Sequence, residues 1–124
     1  MRCVLASLLS LACVLLLPVA ASHAQDISGR YAVEGGNPNG QGAYQGEAQV
    51  VRAGDVFHVM WSIAGQQQTG TGILQKGALA VVYQQEGERP GVALYTLNSS
   101  GSLSGTWTSL GGTVLGVETW RRKK

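Results

Sequence analysis

Glycine recurs so often after residue 24 that little room is left between glycines for a helix. All 18 glycines lie in residues 25–124, whereas average usage in proteins is about 7%. The longest stretch without glycine, Asp55–Ala64, is only ten residues long. An average helix has about 11–12 residues, and an interior glycine costs it about 1 kcal/mol relative to alanine. Because strands of about 5–6 residues fit between the glycines, the spacing predicts an all-β fold.

Eight segments bounded by Gly, Asn, Asp or Pro are predicted to be strands. They are residues 29–34, 44–52, 56–63, 68–75, 78–85, 92–98, 102–109 and 113–121. The connections between them are short, with Gly35–Ala43 the longest. Parallel neighbours need a crossover of about a dozen residues or more. We therefore predict an antiparallel meander that forms a single domain over residues 25–124.

Alternation of apolar residues predicts which side chains point inward. Phe57, Val59 and Trp61 share one face of the third strand, and Trp107 lies on the corresponding face of the seventh. A meander has two free edges unless its first and last strands pair. Pairing gives a small eight-stranded antiparallel up-and-down barrel of the calycin-like type, with a two-sheet sandwich as the alternative. Bulky Trp61 and Trp107 are expected to fill its interior.

Residues 1–24 have the three-part pattern of a secretory signal peptide. Arg2 gives a positively charged start, and Val4–Leu17 is a run of apolar and small residues that Pro18 ends. The tripeptide Ser-His-Ala at 22–24 places small residues first and third before a cleavage site. We predict cleavage after Ala24 and a periplasmic or extracellular location for the mature protein.

Two alternatives to this cleavage stay open. The stretch Cys3–Ala21 is long enough for a retained membrane anchor, since a spanning helix needs about 17–25 residues. Cys13 follows Ser-Leu-Ala, and a lipid could be attached to it. Both cysteines lie in this segment, so the mature chain is predicted to be cysteine-free, without disulfides or thiolate ligands. After cleavage no stable membrane span is expected.

The predicted mature chain offers little to a nucleic acid, a metal ion or a catalytic mechanism. Without Arg2 it has eight Lys and Arg against seven Asp and Glu, so no basic field attracts nucleic acid. Its acids are scattered and its one histidine is His58, which predicts no metal site and no cofactor. Leu103 occupies the central position of Gly101–Gly105, where a nucleophile elbow needs serine. We predict that the protein is not an enzyme.

Several short motifs of the chain resemble those of a group of small exported bacterial proteins of unknown function. The motifs are Gly29-x-Tyr31-x-Val33-x-Gly35-x-Asn37-Pro38-x-Gly40, Tyr44-x-Gly46, Trp61-x-Ile63, Gly70-x-Gly72-Ile73, Leu79-Ala80-Val81-x-Tyr83, Gly101-x-Leu103-x-Gly105-x-Trp107 and Gly116-x-Glu118. Some members of that group are labelled fibronectin-binding proteins, which implies export, a β fold and at most adhesion. The Gly-x-Leu-x-Gly-x-Trp segment is also similar to barrel strands of avidins and lipocalins, at the level of architecture only.

Four residues are candidates for binding. Asn37 and Asn39 lie in the longest connection, and Tyr44 follows it directly. Long loops on rigid scaffolds often carry recognition, although Asn-Pro-Asn-Gly is also an ordinary turn sequence. Glu118 lies in the last strand; if it points inward it needs a partner, and Arg30 on the first strand is the expected one. An ion pair at the rim and a carboxylate that contacts a ligand both remain open.

Three functions are compatible with these patterns. The first is an exported, non-enzymatic binding or adhesion module that contacts an envelope or extracellular protein or a glycan through its loops, as a monomer. The second is a lipocalin-like carrier of a small apolar ligand inside the barrel, which the bulky tryptophans disfavour. The third is a small hydrolase built from paired carboxylates. An interior hollow above about 300 Å³, the low end for ligand pockets, distinguishes the carrier.

Overall fold

Eight strands and one short 3-10 turn form in the computed structural model, which describes residues 25–124. The strands are β1 Gly29–Gly36, β2 Ala43–Ala53, β3 Val56–Ile63, β4 Gln66–Gln75, β5 Ala78–Gln84, β6 Gly91–Leu97, β7 Leu103–Ser109 and β8 Gly116–Arg122, and the turn is Pro38–Gly40. All eight predicted strands are confirmed, with ends that differ by up to three residues. The predicted signal peptide and the possible lipidation of Cys13 lie outside the described residues.

The first and last strands pair, so the sheet closes on itself. Each strand is antiparallel to its neighbours in the order β1 to β8, and β8 returns to β1. In this closing ladder Val33 lies opposite Trp120 and Gly35 lies opposite Glu118. The predicted up-and-down barrel is confirmed, and the alternative of a two-sheet sandwich is wrong. Pairing of β1 with β8 leaves no free edge among the described strands.

The connections differ from the prediction at one end of the barrel. Three of them have equal length, Asn37–Gly42, Gln85–Pro90 and Leu110–Leu115, because β1 and β2 extend into the predicted long loop and β8 begins late. The turn at Ala64-Gly65 has positive φ at both positions, as in the type I′ turn that suits two-residue hairpins. In an antiparallel meander, alternate connections lie at the same end. The three longer connections and Ala64-Gly65 therefore surround one end.

The opposite end of the barrel is closed by residues that precede β1. Ile27 is buried, and its carbonyl accepts a hydrogen bond of 2.7 Å from the hydroxyl of Tyr31. Arg122 donates to that hydroxyl at 3.0 Å and to the carbonyl of Ser28 at 3.0 Å. Its guanidinium also lies 5.1 Å from the centre of the Tyr31 ring. The N-terminal segment thus forms a hydrogen-bonded plug beneath the apolar interior.

Inward-facing side chains follow the predicted alternation in β3, β5 and β7. Phe57, Val59 and Trp61 are buried, as predicted. The sequence left open which face of β8 points into the barrel. Glu118 and Trp120 are both buried, so the inward face is theirs. Trp120 is fully enclosed and packs against three other rings, those of Tyr31, Trp61 and Tyr95. This aromatic cluster fills the middle of the barrel.

Candidate functional site

The end of the barrel away from the plug is hollow. A cavity of about 640 Å³ opens there among the connections that follow β1, β3, β5 and β7. Its aromatic lining consists of Tyr44, Trp61, Tyr83, Tyr95 and Trp107. Polar side chains, among them Gln68, Gln85 and Arg89, complete the lining. The expectation that bulky tryptophans fill the whole interior is therefore wrong at this end.

Three aromatic–glycine pairs explain why these rings line the cavity instead of filling it. Each pair joins directly opposed residues on adjacent strands: Tyr44 with Gly35, Tyr83 with Gly91, and Trp107 with Gly116. In each pair a Cβ atom on the glycine would overlap the ring. The ring therefore lies against the barrel wall in the space that a side chain would otherwise occupy. One face of each ring covers a glycine, and the space in front of it stays open.

Glu118 lies at the base of this cavity and is 6% exposed. Its carboxylate accepts hydrogen bonds from four side chains on four strands. Oε1 accepts from the indole N–H of Trp61 at 2.9 Å, from the hydroxyl of Tyr95 at 3.1 Å and from the indole N–H of Trp120, and Oε2 accepts from the hydroxyl of Tyr44 at 2.6 Å. Indole N–H groups only donate. The arrangement is thus built around an acceptor, as an ionised carboxylate is.

No cation neutralises Glu118 among the ion pairs of residues 25–124, which connect side chains on the outer surface. The predicted partner, Arg30, is on the outer face of β1 and lies 3.4 Å from Glu47. The prediction of an ion pair between Arg30 and Glu118 is therefore wrong. The physical reason is the register, which places Gly35 opposite Glu118, together with the alternation that turns Tyr31 inward and Arg30 outward.

The pKa values of the tyrosines beside Glu118 are raised, which favours their protonated forms. Burial raises the pKa of Tyr44 and of Tyr95 far above the usual value, and the negative charge of Glu118 raises both further. Burial also raises the pKa of Tyr83. These phenols consequently remain hydrogen-bond donors over the physiological pH range. They are not poised to act as general bases.

Trp107 carries an unsatisfied donor in the wall of this cavity. Its indole Nε1 is buried and has no hydrogen-bond partner of acceptable geometry. It lies near the hydroxyl of Tyr44, and this proximity partly opposes the rise in the Tyr44 pKa. The hydroxyl itself donates to Glu118. A buried polar group without a partner costs about 1–3 kcal/mol, and most such groups in native proteins are satisfied. The N–H is enclosed by the surrounding side chains and does not face the open space of the cavity.

The structure brings three of the four sequence-predicted site residues to the cavity. Asn37, Tyr44 and Glu118 line it, whereas Asn39 does not. Asn39 is exposed at the tip of the 3-10 turn, with a φ of 60°. The amide of Asn37 donates instead to the carbonyls of Gln41 and Gly42, which closes the loop on itself. The predicted loop surface is thus a compact turn at the rim of the cavity.

Sequence reasoning missed the aromatic walls of the cavity. It placed Trp61 and Trp107 inward but assigned them to a filled core, and it left Tyr83 and Tyr95 without a role. The available signal was the set of glycines in the strands. Gly35, Gly91 and Gly116 are placed by the register opposite Tyr44, Tyr83 and Trp107. The sequence shows the glycines, but the pairing needs the register.

Residues 25–124 contain no cluster of three or more His, Cys, Asp or Glu side chains able to hold a metal ion. His58 is exposed on the outer face of β3, whereas Glu118 points into the barrel. Glu118 therefore has no histidine or second carboxylate as a neighbour in its hydrogen-bond network. In the described part of the chain, no helix has the length and apolarity needed to cross a membrane.

A second concavity lies on the outside of the barrel, across β2 to β5. It is lined by exposed apolar side chains such as Val51, Met60 and Val82, beside His58. It contains no buried charge within the described residues. The interior cavity contains the buried carboxylate of Glu118, so it is the candidate site.

Fold and site together define a class: a small antiparallel up-and-down β-barrel that is plugged at one end and has an aromatic cavity with a buried carboxylate at the other. No protein-family model matches the chain, and a search of curated proteins gives no match either. Because one fold hosts many functions, the function has to be argued from the site itself.

Proposed function

We propose that this protein binds a small molecule in the barrel cavity. The observation that carries the proposal is an inward-facing cavity with the buried carboxylate of Glu118 at its base. Its volume of about 640 Å³ falls within the roughly 300–1,000 Å³ typical of ligand pockets. Aromatic walls with a few convergent polar groups are also typical of such pockets. The second of the three functions inferred from sequence, a carrier, is therefore the better supported one.

The ligand is more polar than the apolar molecule that the sequence suggested. The carboxylate of Glu118 lies at the base of the cavity, and Gln68 and Gln85 add amides to its lining. A purely apolar ligand would desolvate these groups without replacing their hydrogen bonds, which is unfavourable. We propose an amphipathic ligand without catalytic turnover.

Export remains part of the proposal. The pattern of residues 1–24 and the absence of cysteine from the rest of the sequence support a periplasmic or extracellular binding protein. Mass spectrometry of the protein recovered from the producing cells tests this, with a chain that begins at Gln25 as the expected result. A membrane-retained species that still carries residues 1–24, or diacylglycerol on Cys13, would contradict it.

A dye that fluoresces in apolar surroundings tests the cavity. N-phenylnaphthylamine is uncharged, so its binding does not depend on the charge of Glu118. We expect saturable binding to the unmodified protein and loss of binding in Gln68→Phe, because Gln68 is half-buried and lines the cavity. Gln67→Phe is the matched control, since Gln67 is exposed on the same strand. Equal binding by both variants would overturn the proposal.

Adhesion through loops is the second candidate function, because Asn39 is exposed at the tip of a loop carried by the barrel, and such loops often carry recognition. This function needs a protein or glycan partner at the rim, not a ligand inside. Binding to an array of glycans or matrix proteins that Asn39→Ala abolishes and Gln68→Phe leaves intact would favour it. The opposite pattern would favour the cavity.

A further inference from the structure

We infer, on the basis of the proposed ligand-binding function, that the ligand is an organic cation whose ammonium group points towards Glu118. Three observations carry this inference independently of one another. They are the uncompensated charge at the base of the cavity, the arrangement of the aromatic rings, and the unequal use of the two carboxylate oxygens.

The charge of Glu118 is buried without a countercharge. Its four partners are the neutral side chains of Tyr44, Trp61, Tyr95 and Trp120. At the mouth, Glu88 and Arg89 carry opposite charges, so the lining as a whole has an excess of one negative charge. Burial of a charge is costly unless the charge is paired. A ligand cation would supply the missing pair, whereas an anion would add repulsion inside a low-dielectric space.

Aromatic rings line the cavity beside this charge. Tyr44 and Trp107 have ring centres 6.4 Å apart with planes tilted by 59°, and Trp61 and Tyr83 have centres 5.9 Å apart with planes tilted by 66°. These are tilted and edge-to-face contacts between neighbouring rings, and all four residues contribute to the cavity lining. A cation over the face of a tryptophan or tyrosine gains about 0.5–2 kcal/mol, and clustered aromatic rings are typical of ammonium recognition.

The hydrogen bonds leave one acceptor position at Glu118. Oε1 accepts three hydrogen bonds, but Oε2 accepts one, from Tyr44. Because each oxygen of a carboxylate has about two lone-pair sites, Oε2 has room for an ammonium N–H. The site thus fits an ammonium group together with an apolar body.

Three probes of one carbon skeleton test the inference. Phenethylamine is a cation at neutral pH, phenethyl alcohol is neutral and phenylacetate is an anion. Binding is followed by tryptophan fluorescence, since Trp61 and Trp107 line the cavity and Trp120 bonds to Glu118. We expect phenethylamine to bind at least about tenfold more tightly than the other two, because a hydrogen bond to a charged group contributes about 1.5–3 kcal/mol.

Glu118→Gln separates the charge from the shape of the site. The amide oxygen can take the place of Oε1, and the amide NH₂ can donate to the hydroxyl of Tyr44, so the hydrogen bonds are retained. We expect the affinity for phenethylamine to fall by about 10-fold to 100-fold and the affinity for phenethyl alcohol to stay within about threefold. Glu86→Gln is the matched control: it removes the same charge from an exposed residue of the connection Gln85–Pro90 that does not line the cavity, and it should change either affinity by less than about threefold.

The outcomes distinguish this inference from the proposed function. If phenethyl alcohol or phenylacetate binds as tightly as phenethylamine, or if Glu118→Gln leaves phenethylamine binding unchanged, the cation inference is overturned and the ligand-binding function stands. The same holds if none of the three probes binds while N-phenylnaphthylamine still does. If the dye does not bind either, both are overturned.

Discussion

Glu118 shows how a single residue can acquire a role that its spacing does not reveal. In the sequence it is one acid between Gly116 and Trp120, compatible with an ion pair at the rim or with an inward site. In the structure it joins β8 to three other strands, because its carboxylate accepts from side chains on β2, β3 and β6. Substitution of Glu118 should therefore change the stability of the fold as well as the affinity for a ligand.

We predict that Glu118→Leu is far more destabilising than Glu118→Gln. Leucine leaves the two indole N–H groups of Trp61 and Trp120 and the hydroxyl of Tyr95 without an acceptor, and each buried orphan costs about 1–3 kcal/mol. We expect a loss of at least about 3 kcal/mol for leucine and less than about 1.5 kcal/mol for glutamine. Urea unfolding followed by circular dichroism measures both. Equal stability of the two variants would show that water satisfies the donors and that Glu118 does not hold the strands together.

The tyrosines predict a limit of stability at alkaline pH. The pKa of each of Tyr31, Tyr44, Tyr83 and Tyr95 is raised in the folded protein, mainly by burial. The unfolded chain therefore releases these protons at a lower pH than the folded one. The resulting stabilisation is complete below about pH 10, the ordinary tyrosine pKa, and it decreases as the pH rises above that value.

A spectrophotometric titration measures this effect. We expect tyrosinate absorbance to appear together with the loss of near-ultraviolet circular dichroism, as one transition above about pH 10. Tyrosinate that forms near the ordinary pKa in a protein with an intact near-ultraviolet spectrum would contradict the burial of these phenols.

At the scale of strands, glycine determines where the backbones of adjacent strands approach closely. It also determines where an aromatic ring can lie flat against the adjacent strand. Gly105 in β7 is an example of close approach: a Cβ atom there would overlap the carbonyl oxygen of Leu94 in β6. Gly36 in β1 offers a contrast, because a Cβ atom would meet Val117 at 3.3 Å, a distance that a small shift relieves. Neither glycine has a positive φ, so the difference between them is steric.

We predict that Gly105→Ala lowers the free energy of unfolding by about 1–3 kcal/mol, as overpacking does. The control, Gly36→Ala, should stay within about 0.5 kcal/mol of the unmodified protein. Denaturant midpoints at constant slope measure both changes. If the two alanines cost the same, the close approach of β6 and β7 is not what requires glycine at position 105.

The strands also mark how far sequence reasoning reaches in this protein. Glycine spacing and alternation predict eight strands, their order and the inward face of β3, because these depend on neighbouring residues only. The face of β8 and the partner of Glu118 depend on the register between β1 and β8, which no local pattern encodes. The hollow end was missed for the same reason: Trp107 fills space or lines it depending on whether Gly116 lies opposite.

At the scale of the whole molecule, the barrel divides stability and binding between its two ends. The plug of Ile27, Tyr31 and Arg122 closes one end with hydrogen bonds that the apolar interior shields. The other end gives up packing to enclose the cavity. Sites for ligands are commonly less well packed than the scaffold that positions them, and this division allows the cavity to change without loss of the fold.

Matched removal of one hydroxyl at each end tests this division. Tyr31→Phe removes the hydrogen bond to Ile27 and the acceptor of Arg122, so we expect a loss of about 1–3 kcal/mol in unfolding free energy with unchanged binding of N-phenylnaphthylamine. Tyr83→Phe removes a hydrogen bond of 3.3 Å to the carbonyl of Thr108 beside the open cavity, where water can replace it. It should cost less than about 1 kcal/mol but alter the affinity for the apolar dye, because loss of the hydroxyl makes the lining of the cavity less polar. Reversal of this pattern, with binding sensitive to Tyr31 and stability sensitive to Tyr83, would place the ligand at the plugged end and contradict the assignment of the site.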